Sequence, residues 1–339
     1  MHNIASSSSP AGSAPFSDAS GPQGQDRPGQ FSAGDPEPEL PGRRALVLGG
    51  GGSTGNAWLI GVIAGLAEAG IEVADAELVI GTSAGSTAAA QLAGATPAGL
   101  FAATVEAQPP HQNRPAPTDA GARGLAGSTV NHLERTDKII AGSRDAAEMR
   151  RRMGAGALEL PGSSDESVQT RWRATVAARL PRQDWPEHRV LLTAVDARTG
   201  EAVVFGRHSG VALADAVAAS CSSGFAYRIG ERQYIDGGYR RNENADLAAG
   251  YGKVLVLSPF GGRTRTPLAW GMQLDAQVKE LRDGGSTVEV ISPEAEVEDL
   301  FGANAMNFGL RPEAARAGFR QGKGLAGRLA VFWCGAAVG

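Results

Sequence analysis

The chain has 339 residues, a formal net charge of −4 and a sequence pI near 5.8, a balance that argues against a nucleic-acid binder with its usual basic surplus. Its two cysteines, Cys221 and Cys334, have neither metal-ligand spacing nor a disulfide framework, so both are expected as buried free thiols. No stretch reaches the roughly 18 apolar residues that a membrane-spanning helix needs.

Residues 1–42 carry Ser6-Ser7-Ser8-Ser9, scattered Pro and Gly and no apolar run, which predicts a disordered tail. They lack the basic start and apolar core of a secretory signal. The expected location is the cytoplasm, with peripheral contact at a membrane left open. Residues 43–339 are expected to form one α/β domain. From Arg44 onward strands and helices alternate, the pattern of a mainly parallel sheet covered by helices on both faces.

The first strand, Arg44 to Leu48, runs into four glycines, Gly49 to Gly52, and then Ser53-Thr54-Gly55. Asn56 to Ala69 has Trp58, Leu59, Val62, Ile63 and Leu66 near helical spacing on one face, and Gly70 ends it. A second strand, Leu78-Val79-Ile80, breaks into Gly81-Thr82-Ser83-Ala84-Gly85, and a small-residue helix follows to Ala93. The Pro- and Gly-rich loop from Gln108 to Gly127 suits a lid, a substrate loop or simple disorder. Arg144 to Leu180 reads as helical and charged, with Arg150-Arg151-Arg152 on a solvated face. Strands return at Val190 to Val195 and Ala202 to Phe205, joined by a hairpin turn from Asp196 to Gly200. A short helix from Val211 to Ala219, a buried strand from Lys253 to Leu257, and a helix from Trp270 to Asp283 come next. Thr287 to Ile291 predicts a strand and Pro312 to Gln321 a late helix. The apolar tail from Leu325 to Val338 is expected as a core helix or strand.

The sequence G-x-S-x-G between a strand and a helix puts a serine on a sharp bend with its hydroxyl exposed. The glycine loop ahead of it offers closely spaced backbone N–H groups. A nucleophile facing free donors outlines an acyl-transfer site. Serine needs a neighbouring base, and the histidines are restrictive: His2, His111, His132, His188 and His208, with none after the last. His188 precedes a strand and His208 lies in a polar turn, so a carboxylate is the expected base. The best candidate is Asp236 in Tyr234-Ile235-Asp236-Gly237-Gly238, delivered by a strand end and followed by two glycines. Asp196 and Asp246 are rivals, although the first suits local hydrogen bonds in a hairpin and the second a helix cap.

These three elements in this order resemble the patatin-like phospholipases, over most of Arg44 to Trp333. The resemblance extends to Leu192-Thr193-Ala194-Val195-Asp196, Thr199-Gly200-Glu201 and Ala218-Ala219-Ser220. It implies a three-layer α/β/α fold, a Ser–Asp dyad of Ser83 and Asp236, and an oxyanion hole from the amides of Gly50, Gly51 and Gly52. It also implies hydrolysis of lipid carboxylic esters through an acyl-serine, of phospholipase A or lysophospholipase type, on a lipid or acyl-ester substrate and without a cofactor or metal. The chain departs from the pattern in three places. Thr54 stands where the loop normally carries a basic residue. Cys221-Ser222-Ser223-Gly224-Phe225 lacks a proline often found there. After the matching Asn242, Asn244 replaces an expected proline. The altered loop leaves open a catalytically weak lipid-binding protein, and the shared first half-reaction leaves open an acyltransferase. Gly50 to Gly55 also satisfies G-x-G-x-x-G, but no acidic residue ends the second strand as a dinucleotide site requires.

Overall fold

The computed structural model describes residues 40–107 and 132–335; residues 1–39 and the Gln108–Gly127 loop lie outside them. Eight strands form one sheet: β1 (Leu40–Leu48), β2 (Leu78–Gly81), β3 (Arg189–Asp196), β4 (Ala202–Phe205), β5 (Tyr227–Ile229), β6 (Arg232–Asp236), β7 (Tyr251–Leu257) and β8 (Thr287–Ile291). Hydrogen-bonded neighbours run β5-β6-β3-β2-β1-β7-β8, with β4 also paired to β3. The pairs from β3 through β2, β1 and β7 to β8 are parallel, whereas β4, β5 and β6 join antiparallel.

The central strands are continuous apolar runs because both faces are covered. Leu46 and Leu48 of β1 and Leu255 and Leu257 of β7 point into one core. The intervening Ala45, Val47, Val254 and Val256 point into the other. Helices α1 (Gly52–Glu68), α2 (Ala84–Leu92), α7 (Leu213–Ser220) and α9 (Arg311–Cys334) contribute to the first core. Helix α8 (Leu274–Asp283) and the turn at Ala245–Ala248 close the second. The result is the three-layer α/β/α arrangement, with a largely parallel sheet in the middle. In chain order α3 (Pro97–Glu106), α4 (132–141), α5 (Ala146–Leu158) and α6 (Glu166–Ala177) fall between α2 and β3.

Helices α1 and α9 pack through interleaved glycines. A Cβ on Gly61 would stand 2.1 Å from the Ala315 carbonyl oxygen, and one on Gly318 would stand 2.4 Å from that of Trp58. Gly65 and Gly322 repeat the contact one turn on. That close approach anchors α9 over the start of α1, beside the glycine loop.

Several elements differ from the sequence expectation. The helix expected from Trp270 starts at Leu274, because Gly271 adopts φ 64° and breaks the chain direction after a short turn at Leu268–Trp270. The late helix does not stop at Gln321 but continues to Cys334, burying Leu329, Ala330 and Trp333. It leaves Cys334 exposed rather than buried. Strand β5 and helices α3 and α4 were not expected. Among the described residues no helix is long and apolar enough to cross a membrane.

Candidate active site

Strand β3 acts as a ruler for the site. Leu192 pairs with Gly81 of β2 and with Phe205 of β4, so β2 and β4 occupy opposite edges of β3. Ala194 pairs with Val203 of β4 and Asp236 of β6, so β6 lies on the same edge as β2. The strands β2 and β6 therefore approach head to head along that edge. Their last residues stand opposite Leu192 and Ala194, either side of Thr193. The chain leaves β2 into Ser83 and leaves β6 at Asp236, which brings together two residues far apart in sequence.

Ser83 sits at φ 53° and ψ −113°, one of two non-glycine residues with positive φ among those described. Such backbone costs roughly 1–3 kcal/mol and needs external support. Its N–H donates to Ser220 Oγ at 2.9 Å, and its carbonyl accepts from Ser86 Oγ at 2.6 Å and Cys221 Sγ at 3.1 Å. The flanking glycines explain the motif's spacing. A Cβ on Gly81 would stand 2.6 Å from Ser86 Cα, and one on Gly85 would stand 1.9 Å from the Leu48 carbonyl oxygen. The second contact presses the elbow against the glycine loop. Burial pushes the Cys221 thiol up to about 11, so it acts as a neutral donor beneath the elbow. Ser220 ends the Ala218-Ala219-Ser220 stretch and Cys221 opens the segment that follows it, and their supporting role was not legible from the sequence.

Asp236 is 8 % exposed. Burial pushes its carboxyl up to about 6, against opposing hydrogen bonds from the Ser83 hydroxyl and the Gly238 amide. The Gly238 N–H donates to Oδ1 at 2.8 Å. Gly237 lies so close to Thr193 that a Cβ would stand 2.2 Å from its Oγ1. Ser83 is the N-cap of α2 as Gly51 is of α1, so two helix N-termini bring partial positive charge to this end of the sheet.

The glycine loop corrects one expectation. The Gly50 amide donates to the Asn242 carbonyl at 3.0 Å and so is already engaged. The Gly51 and Gly52 amides have no acceptor among the described residues. Gly51 is hemmed in by Pro259, and Gly52, at φ 65°, faces the Ala305 carbonyl oxygen. Thr54 is fully buried, with its amide donating to that same carbonyl at 3.0 Å, so it packs inward.

Asn242 clasps Gly50 twice, since its side-chain amide also donates to the Gly50 carbonyl at 3.2 Å. The Glu243 carboxylate accepts from Asn242 Nδ2 at 2.9 Å and Ser258 Oγ at 2.7 Å, and burial among these neutral donors raises its pKa. Asn244 resolves the missing proline. It adopts φ 54°, which asparagine tolerates and the proline ring forbids. Its amide group donates to Thr82 Oγ1 at 3.0 Å, Thr193 Oγ1 at 3.2 Å and the Arg241 carbonyl at 2.6 Å, joining β2, β3 and the turn after β6. Asn244→Ala is expected to lower unfolding stability by about 2–4 kcal/mol, through orphaned buried groups plus strain at positive φ. Urea denaturation measures this, and a loss below about 0.5 kcal/mol contradicts the bridging role.

The rival carboxylates are engaged elsewhere. Asp196 Oδ1 accepts from the Arg198 and Thr199 amides at 2.9 and 3.0 Å, as a hairpin aspartate should. Asp246 is no helix cap; it pairs with Arg240 and Arg241. His188 adjoins Arg189, which pairs with Leu78 at the start of β2, away from Ser83. Among the described residues no histidine is bonded to Ser83 or Asp236, and no cluster of potential ligands could hold a metal.

No curated protein matches the chain by sequence. Among solved structures it is similar to VipD from Legionella pneumophila, at 15 % identity and a TM-score of 0.38, over 85 % of this chain and 67 % of that one. It is also similar to the type III effector ExoU, at 17 % identity and a TM-score of 0.38, over 86 % of this chain and 54 % of that one. The complex of SpcU with ExoU from Pseudomonas aeruginosa matches at 18 % identity and a TM-score of 0.32, over 84 % and 53 %. The chain thus spans about half the length of the ExoU chains. Residues 46–249, well over half the chain, match the patatin-like phospholipases, and the chain belongs to that family.

Proposed function

We propose that this chain cleaves the acyl esters of lipids through an acyl-serine intermediate, with Ser83 as nucleophile and Asp236 as its base. The observation that carries the reading is a buried aspartate, delivered by the end of β6 beside a serine on a strained elbow; burial raises the pKa of its carboxyl and the Ser83 hydroxyl pulls it back down. As Ser83 Oγ bonds to the ester carbon, Asp236 takes its proton and the carbonyl π electrons move onto oxygen. The Gly51 and Gly52 amides receive that oxyanion, with Gly50 anchoring the loop to Asn242. Loss of one such donor typically costs about a hundred- to a thousandfold in rate. Collapse of the intermediate expels the alcohol, which recovers the proton from Asp236. Water, deprotonated by the same carboxylate, then attacks the acyl-serine, and Ser83 leaves with the proton.

An ordinary aspartate is a weak base at neutral pH. Burial raises Asp236 to about 6, nearer the ideal for proton transfer at neutral pH. Only the ionised form accepts a proton, so kcat/KM for fatty-acid release from a lysophospholipid is expected to rise with pH through a midpoint near 6 and then level off. A midpoint above pH 8, or a flat profile, contradicts Asp236 as the base.

A further inference from the structure

Arg311 opens α9 and reaches back to the first turn of α1. Its Nη1 donates to the Ser53 carbonyl at 2.7 Å, and its Nη2 donates to Asn56 Oδ1 at 3.0 Å. Asn56 Nδ2 in turn donates to Gln91 Oε1 at 3.0 Å and to the carbonyl of Ala84, the residue after Ser83, at 3.4 Å. Gln91 Nε2 donates to the Arg179 carbonyl at 3.3 Å. This chain of hydrogen bonds passes beside the nucleophile elbow and links the Arg311 guanidinium to the backbone of Arg179.

The Arg179 guanidinium lies 6.0 Å from the ring of Phe308 and 5.9 Å from that of Trp172. Phe308 belongs to the turn that leads into Arg311. Among the described residues neither guanidinium has a carboxylate within ion-pair distance, although the other arginines of the site region, Arg240 and Arg241, are paired. Burial and the repulsion of Arg179 hold the Arg311 guanidinium down to about 10. Juxtaposed like charges without a counterion are costly unless an anion joins them. The glycine loop itself carries no cation, since Thr54 occupies that place.

We propose that Arg179 and Arg311 form a phosphate-binding rim that holds the head-group phosphate of a glycerophospholipid while its acyl ester lies at Ser83. This assignment rests on the reading of Ser83 as the acyl-transfer centre. The pair makes the phosphate a determinant of substrate choice and supplies from α9 the positive charge that the loop lacks.

The test uses the full chain and ether lipids that cannot be hydrolysed: an alkyl lysophosphatidylcholine and the matching alkylglycerol, with binding followed by calorimetry below micelle formation. The phosphate-bearing ether is expected to bind at least about tenfold tighter, the worth of a charge-assisted contact. Arg179→Gln, at an exposed position, should remove most of that preference, and Arg311→Lys, which keeps charge but not the planar fork, should reduce it. Equal binding of the two ethers by wild type, or an unchanged preference in folded Arg179→Gln and Arg311→Lys, overturns the proposal. Inorganic phosphate forms the second arm. Displacement of the phosphate-bearing ether only at high millimolar phosphate supports the head-group assignment, whereas tight phosphate binding that leaves ether-lipid binding untouched overturns it. Because neither ether is cleaved, a chain that discriminates between them yet releases no fatty acid from esters would sink the hydrolase reading and leave the phosphate rim standing.

Discussion

Ser83→Ala is expected to lower ester turnover by roughly ten-thousandfold or more, because the covalent route is removed and only binding and electrostatic stabilisation remain. The substitution deletes one oxygen from a residue that is only partly buried. The supports of the elbow are backbone contacts: the Ser83 N–H to Ser220 Oγ, and the Ser83 carbonyl to Ser86 and Cys221. All survive in alanine; only the hydroxyl that favours the ionised Asp236 is lost, so stability should fall by no more than about 1–3 kcal/mol. Fatty-acid release from a lysophospholipid, with circular dichroism as the check on folding, measures both halves. Substantial turnover in a folded Ser83→Ala protein removes Ser83 from the nucleophile's place.

Asp236→Asn is expected to cost about a thousandfold or more in turnover, since an amide cannot take the serine proton. It should also stabilise the fold. The native carboxyl titrates near 6, whereas the ordinary value is 3.8. Between those values the native state keeps a proton that the unfolded chain has released, so stability falls as pH rises through that window. The penalty is complete above about pH 6, with a ceiling on the order of 3 kcal/mol. Asparagine carries no such penalty, and its side-chain oxygen still accepts from the Gly238 amide. Urea denaturation at pH 8 should therefore show the variant to be the more stable protein, and at pH 4 the gap should close. A destabilised Asp236→Asn at pH 8 would show that burial does not strain the carboxylate, and full activity would exclude it as the base. Opposite signs for activity and stability at one residue are what a functional site predicts and a structural one does not.

The parts of the site legible in the sequence are those whose chemistry is local. Gly81-Thr82-Ser83-Ala84-Gly85 announces a strand-to-helix turn, because its two glycines answer to contacts with Ser86 and the adjoining strand end. Asp236 could be singled out because no histidine follows His208 and two glycines follow the aspartate. The alternating cores and the parallel strands were legible in the apolar runs and the helices between them. What escaped reading depends on residues distant in sequence. The engagement of the Gly50 amide requires Asn242, and the burial of Thr54 requires Ala305. Asn244 looked like a lost proline, yet its φ of 54° is unavailable to proline and its amide reaches three separate segments. Helix α9 runs on past Gln321 to Cys334, and its glycines are tolerated because α1 packs against Gly318 and Gly322. The short strand β5 has only three residues and pairs with a strand that ends in the site, too brief to carry a period.

Acylation of Ser83 with Asp236 as its base is open to one direct test. The most direct measurement is mass spectrometry of the intact protein and its peptides after reaction with a fluorophosphonate that mimics the tetrahedral intermediate. One adduct is expected, on the peptide containing Ser83, formed rapidly in wild type, at least about a hundredfold more slowly in Asp236→Asn, and absent in Ser83→Ala. A folded wild type that takes no adduct, or an adduct on any other serine that persists in Ser83→Ala, contradicts it.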